Sequence, residues 1–141
     1  MPTKVACFLD TNVLVYGAAG KHDESRKATI ARQIVATELF GVSAQTLAEF
    51  YNVVSRAIAR PLSLAEIDGW IEHLSAFPFT VVDAHLVRAG IVLSRRYNIG
   101  YYDAALLAAA ERLGARIFYS EDLNHGQFYG SVRVINPFLS V

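Results

Sequence analysis

Val5-Ala6-Cys7-Phe8-Leu9-Asp10-Thr11-Asn12 is the stretch that decides the fold class. Five apolar residues without alternation describe a strand buried on both faces, and the carboxylate directly behind them marks its carboxyl end. Outward from it, Gly41–Ser43, Thr80–Val82, Arg116–Tyr119 and Val132–Ile135 read as further short strands, each separated from the next by turn signals or helical patterns. A short helix follows Asn12, and a longer one runs through Ser25–Thr37 towards the turn at Gly41. Helix Gln45–Ala59 carries Leu47, Phe50, Val54 and Ile58 on one stripe, and Pro61 follows it. Ser63-Leu64-Ala65-Glu66 has the form of a capping box opening helix Leu64–Ser75. Asp83 is placed as the N-cap of a helix reaching Tyr97. Gly100 and Gly114 bracket a helix Tyr102–Leu113 with Leu106, Ala109, Ala110 and Leu113 at core spacing. Short strands alternating with helices predict an α/β protein, a three-layer α/β/α sandwich around a central, mainly parallel sheet.

With 141 residues, 53% hydrophobic and 18% charged, the chain suits one compact domain over 1–141 rather than disorder or a repeat array. No run free of Asp, Glu, Lys and Arg exceeds ten residues, against the roughly 20 that a membrane-spanning helix needs. The start, Met1-Pro2-Thr3-Lys4 and then Val5–Leu9, has too short an apolar run for a secretory signal, so a mature cytoplasmic protein is expected. The lone Cys7 excludes an internal disulfide and reads as a small buried hydrophobe. Net charge is zero, so any polyanion has to be gripped locally rather than by bulk attraction. Of the 13 basic residues only Lys4, Lys21 and Lys27 are lysines, and the planar fork of arginine suits phosphate.

In an open parallel sheet ligands bind beyond the carboxyl ends of the strands, so polar residues directly after strand runs are the informative ones. Asp10 follows the first strand. Asp122, in Ser120-Glu121-Asp122, follows Arg116–Tyr119. Asp103 lies in the first turn of its helix, where the macrodipole favours a carboxylate, and Glu49 lies near the start of the helix after the second strand. Singly, Asp103 can be a helix-start charge, Glu49 a solvated face and Asp122 a turn former. Asp10, behind a buried strand, needs a partner, and no basic residue stands in the ten positions after it. Four carboxylates in one crevice repel each other and are driven to protonate unless a cation is bound. Oxygen ligands without converging Cys or His suit Mg²⁺ or Mn²⁺, and His22, His73, His85 and His125 show no zinc spacing. His125, in Asp122-Leu123-Asn124-His125-Gly126, is the one histidine near the predicted site and a candidate substrate contact.

Phe8-Leu9-Asp10-Thr11-Asn12, Ala48-Glu49-Phe50, Tyr102-Asp103-Ala104 and Ser120-Glu121-Asp122-Leu123 stand in an order, with 39, 54 and 19 residues between successive acids, that resembles the PIN-domain family. Among its members the chain is most similar to VapC-type toxins of toxin–antitoxin pairs. The resemblance implies a Mg²⁺- or Mn²⁺-dependent endoribonuclease, a homodimer, and a cognate antitoxin protein that covers the site. It puts Asp10, Glu49, Asp103 and Asp122 at the family's acidic positions and Thr11 and Ser120 at its hydroxyl positions. Asn12 takes the place of a residue that ties the first loop to its neighbours. Either Glu121 or Asp122 can face the ion, and the family pattern of hydroxyl residue, any residue, Asp favours Asp122. The chemistry expected is metal-assisted hydrolysis of a phosphodiester, with Asp10, Asp103 and Asp122 as ligands and Glu49 orienting water or completing the shell; one ion or two are both open.

Setting the four acids aside leaves an excess of basic residues for RNA. Lys21, Arg26, Lys27 and Arg32 on the second helix, Arg56 and Arg60 on the third, and Arg95-Arg96 are candidates for phosphate contact. Tyr97, Tyr101 and Tyr102 are candidates for stacking on unpaired bases, with Tyr102 expected to pack at its helix start. Trp70, with Ile67, Ile71 and Leu74, reads as core or dimer contact. Two other readings compete: a catalytically silent PIN-like module that binds RNA or protein, and an aspartyl-phosphate phosphatase. The latter needs a second Asp two residues after Asp10, where this chain has Asn12.

Overall fold

The computed structural model describes residues 5–19, 25–56 and 62–139. Strand β1 (Cys7–Leu9) leads through α1 (Thr11–Ala19) and α2 (Arg26–Thr37) to β2 (Phe40–Ser43) and α3 (Ala44–Arg56). Helix α4 (Leu64–Ser75) precedes β3 (Phe79–Thr80), and α5 (Ala84–Tyr97) and α6 (Tyr101–Arg112) precede β4 (Ile117–Tyr119). The hairpin β5 (Phe128–Tyr129) and β6 (Val132–Ile135) follows. The six strands form one sheet in the order β3-β2-β1-β4-β6-β5, parallel throughout except for the β5–β6 pair.

Alternation along β1 sorts the core into two layers. Phe8 points to the cluster built by α5 and α6, with Leu93, Leu106, Leu107 and Phe118. Cys7 and Leu9 point to the opposite cluster, with Val13, Phe40, Phe50 and Ile67 from the side of α1, α3 and α4. Helices therefore cover both faces of a largely parallel sheet, the three-layer architecture that the alternating pattern predicts. Burial pushes the Cys7 thiol up to about 12, so this residue serves packing rather than thiolate chemistry.

The caps read from sequence form. Ser63 and Glu66 exchange side-chain bonds with each other's backbone N–H groups, and Asp83 accepts from the Leu86 N–H at 2.9 Å. Several boundaries shift: β2 begins at Phe40 rather than Gly41, α3 at Ala44 rather than Gln45, α6 spans Tyr101–Arg112 rather than Tyr102–Leu113, and β4 begins at Ile117 rather than Arg116. Helix α1 begins at Thr11, directly behind Asp10, rather than after Asn12. The third strand is Phe79–Thr80, and Val81 and Val82 lie beyond it, largely exposed. The β5 strand was not anticipated, although Tyr129-Gly130-Ser131-Val132 is a two-residue hairpin signal: Gly130 takes φ +61°, as such turns require at their first central position. Ile58, Ala59, Arg60 and Pro61 lie outside the described residues, as do Lys21 and His22. Trp70 is half-buried and tilted against Phe50, 6.3 Å between ring centres.

Candidate active site

The strand order reverses at β1. The chain proceeds outward from β1 to β2 and β3, then returns to place β4 on the other side, so the crevice at the carboxyl ends of β1 and β4 is the topological switch point. Register pairs Leu9 with Tyr119, and the Asp10 N–H donates to the Tyr119 carbonyl at 2.9 Å. Asp10 and Ser120 are thereby the first residues past the two strands, facing each other.

A cavity of about 240 Å³ opens at this point, lined by all four predicted acids, Asp10, Glu49, Asp103 and Asp122, together with Thr11 and Asn12. Asn52 and Val53 complete its wall. A larger hollow of about 700 Å³ opens near the amino end of β4, among Glu111, Arg116, Phe128 and Arg133. Its one acid, Glu111, already accepts from the Ser131 N–H and hydroxyl, so chemistry converges on the smaller cavity.

Each acid is held by a different device. The Ser120 hydroxyl donates to Asp10 Oδ2 at 2.8 Å and accepts from the Asp122 N–H at 3.1 Å, so one wholly buried hydroxyl sets both acids. Thr11 Oγ1 donates to Glu49 Oε1 at 2.6 Å, and Gln45 Nε2 donates to Glu49 Oε2 at 3.0 Å. The same Gln45 amide donates to the Tyr102 carbonyl at 2.9 Å, which fixes the start of α6, and hence Asp103, against α3. Asn12 Nδ2, in the first turn of α1, reaches Asp122 Oδ2 at 3.4 Å.

Glu121 is directed elsewhere. It accepts from the Tyr16 hydroxyl and from Lys27 Nζ, each at 2.6 Å, and leaves Asp122 as the acid that lines the cavity. Of the other predicted contacts, Lys27 is committed to Glu121, and the Arg26 guanidinium is bound to the Phe138 and Leu139 carbonyls. His125 Nδ1 accepts from the Asn136 N–H and fastens the end of β6. Tyr97 is tied by its hydroxyl to the Gly130 N–H and packs on Tyr129. Tyr102, expected to pack at its helix start, is 68% exposed; burial along α6 begins only at Ala104 and runs without a break to Ala110.

Burial is the main cause that pushes the Asp10 carboxyl up to about 6; the Ser120 bond opposes the rise, and the Asp103 and Asp122 charges add to it. Asp103 is raised as well, by burial first and then by Asp122 and Glu49. Crowded, partly desolvated acids of this kind call for a positive charge. All are oxygen donors, which suits a hard divalent ion. Among the described residues no group of three or more acid, histidine or cysteine side chains is arranged to hold an ion directly. A hydrated ion such as Mg²⁺, which keeps several waters and takes one or two carboxylates, fits such an open donor set better than a fully dehydrated one.

Gln45 and Asn52 were missed by the sequence reading. Both stand on the Glu49 face of α3, at i−4 and i+3 from it, and that spacing was the available signal.

The family model for the PIN domain matches residues 7–130. The chain belongs to the PIN-domain family. No curated protein sequence matches it. Among solved structures, this PIN domain is similar to a toxin–antitoxin complex from Klebsiella pneumoniae: TM-score 0.67, 16% identity, covering 94% of this chain and 98% of that one. It is also similar to VapC20 of Mycobacterium tuberculosis, described as a sarcin–ricin loop cleaving toxin: TM-score 0.61, 20% identity, covering 82% and 89%. A third is the DNA-bound VapBC of Salmonella typhimurium: TM-score 0.65, 18% identity, covering 92% and 96%. At these identities the likeness is one of fold.

Proposed function

We propose that this PIN domain is a metal-dependent endoribonuclease that hydrolyses RNA phosphodiesters and acts as the toxin of a toxin–antitoxin pair. The observation that carries the reading is the convergence of Asp10, Glu49, Asp103 and Asp122, from four separate elements, on one cavity at the switch point. Toxins of antitoxin pairs among its structural neighbours support the biological role. On this reading 1–141 is one nuclease domain that works in the cytoplasm as a homodimer, with a cognate antitoxin protein as partner. No helix among the described residues is long and apolar enough to cross a membrane.

Asp10, Asp103 and Asp122 are the residues to hold Mg²⁺ or Mn²⁺, directly or through its water. When bound, the ion activates a water and neutralises charge building on the phosphoryl oxygens. The chain's own residues do the rest. Asp10, which burial lifts to about 6, is ionised above that pH and offers its carboxylate to the ion. Glu49, with each oxygen already accepting from Thr11 or Gln45, presents its remaining lone pairs in a fixed direction and so orients the attacking water. Ser120 keeps Asp10 and Asp122 in step.

The alternative, a silent PIN-like module that binds RNA or protein, draws on the absence of a directly ion-holding group among the described residues. One experiment separates the two. Purified protein is incubated with total cellular RNA in Mg²⁺ or Mn²⁺ and in EDTA, beside Asp10→Asn. Cleavage with metal alone, lost in the variant, supports the nuclease. RNA bound but uncut in every condition supports the silent module.

A further inference from the structure

We propose that Tyr16 and Lys27 are positioning residues of the candidate active site: by gripping Glu121 from outside the cavity they hold the loop after β4 so that Asp122 stays turned inward; this rests on the endoribonuclease reading. Asp122 does little to hold itself. Its carboxylate has one hydrogen bond among the described residues, the 3.4 Å contact with Asn12 Nδ2. The backbone of Glu121, Asp122 and Leu123 makes no hydrogen bond to another backbone group of the described residues. Side chains fix the loop instead: the Ser120 hydroxyl takes the Asp122 N–H, and Glu121 reaches out to the helices.

Glu121 spans to two helices at once. The Tyr16 hydroxyl in α1 donates to Glu121 Oε1, and Lys27 Nζ in the first turn of α2 donates to Oε2, each at 2.6 Å. A fully exposed ion pair stabilises little, but the Glu121 side chain is only 17% exposed and its partners are themselves seated. Lys27 Nζ lies 5.8 Å from the Tyr16 ring centre and 5.6 Å from that of Phe138, and the two rings meet edge to face at 5.4 Å. Phe138 is buried, its carbonyl is bound by Arg26, and its N–H donates to Asn136 Oδ1 at 2.9 Å. Parts of α1, α2 and the stretch after β6 thus converge on the residue adjoining Asp122.

Charge and position make opposite demands on Lys27. As a cation close to the acids, it repels a second cation, so its removal without other effect would tighten Mg²⁺ binding. Loss of the grip instead frees the loop, and the entropy of ordering it again opposes the ion, so affinity falls. The sign of the change therefore tells the two roles apart. Tyr16→Phe alters no charge and reports the grip alone.

The test is calorimetry of Mg²⁺ binding to the whole chain, with melting curves beside it to show that each variant is folded. Tyr16→Phe and Lys27→Met are each expected to weaken Mg²⁺ binding about ten-fold, the lower end of the range for residues that orient a metal ligand. Lys27→Arg, which keeps the cation, should stay near wild type. Cleavage of total cellular RNA should shift to higher Mg²⁺ in step and recover at saturating ion. Unchanged Mg²⁺ affinity in Tyr16→Phe removes Tyr16 from this role, and equal or tighter binding in Lys27→Met removes Lys27, whatever their melting temperatures; RNA cleavage by the wild type then leaves the nuclease reading standing. Wild-type protein that neither binds Mg²⁺ nor cuts RNA overturns the nuclease reading and the positioning role with it.

Discussion

Ser120 and Asp10, 110 positions apart in the chain, are joined by a buried hydrogen bond of 2.8 Å across the switch point of the sheet. The serine has one proton to give, and the Asp122 N–H at 3.1 Å occupies one of its lone pairs, so the hydroxyl is directed at Asp10. The bond holds the Asp10 carboxyl below where burial alone would place it.

Removing that donor therefore has a definite sign. Ser120→Ala raises the Asp10 pKa above about 6, and a proton then competes with the ion to higher pH. Mg²⁺ affinity, measured by calorimetry across pH, should fall on the acid side in the wild type, and that fall should begin at higher pH in the variant. Loss of such a supporting bond costs about 10- to 100-fold in metal affinity or activity. An unmoved profile would remove Ser120 from the site.

Asp10 is also a liability to the metal-free fold. Its folded pKa is raised, so the group favours the native state below its unfolded value of 3.8, and that stability is lost as pH climbs through about 6. For this buried carboxyl, the rise from 3.8 to about 6 corresponds to roughly 3 kcal/mol. In EDTA at about pH 8, Asp10→Asn should be the more stable protein by up to that amount, with the difference vanishing near pH 4. Mg²⁺ should restore the wild type and leave the variant unchanged; melting curves with and without the ion test both statements.

The α/β class was legible because β1 is short, uninterrupted and closed by an acid, and the four acids were legible because three of them sit where strand ends and helix starts must meet. Less legible were contacts that depend on angle rather than order. Glu121 and Asp122 are neighbours in sequence, and only the placement of Tyr16 and Lys27 across the loop turns one away from the cavity. Gln45 carries no charge and lies in no motif, yet its amide joins α3 to α6. Strand β5 is two residues long and anchored by its pairing with β6, too little sequence for a period to show.

That division of roles between Glu121 and Asp122 predicts opposite outcomes for two amide substitutions that differ by one position. Asp122→Asn removes a cavity carboxylate and should abolish metal-dependent cleavage. Glu121→Gln keeps an acceptor for the Tyr16 hydroxyl and should retain most of the activity, while loosening the attachment of Lys27. Equal loss in both, measured as initial cleavage rates, would show that the loop turns and either acid can serve.

The close approach of α5 and α6 supplies a prediction remote from the acids. A methyl on Gly90 would stand 3.1 Å from the Ala105 Cα and 3.1 Å from the Tyr101 ring. Replacing a helical glycine by alanine gains about 1 kcal/mol of backbone propensity, and overpacking costs about 1–3 kcal/mol. Here the nearest neighbour is backbone, which cannot swing aside, so the cost prevails and Gly90→Ala should lower the melting temperature. Relief comes only by moving α6 away from α5, and α6 carries Tyr102 and Asp103 in its first turn. Cleavage should then fall by more than the lost stability explains when it is assayed well below the melting point. A variant that melts higher than wild type would mean that the two helices separate without strain.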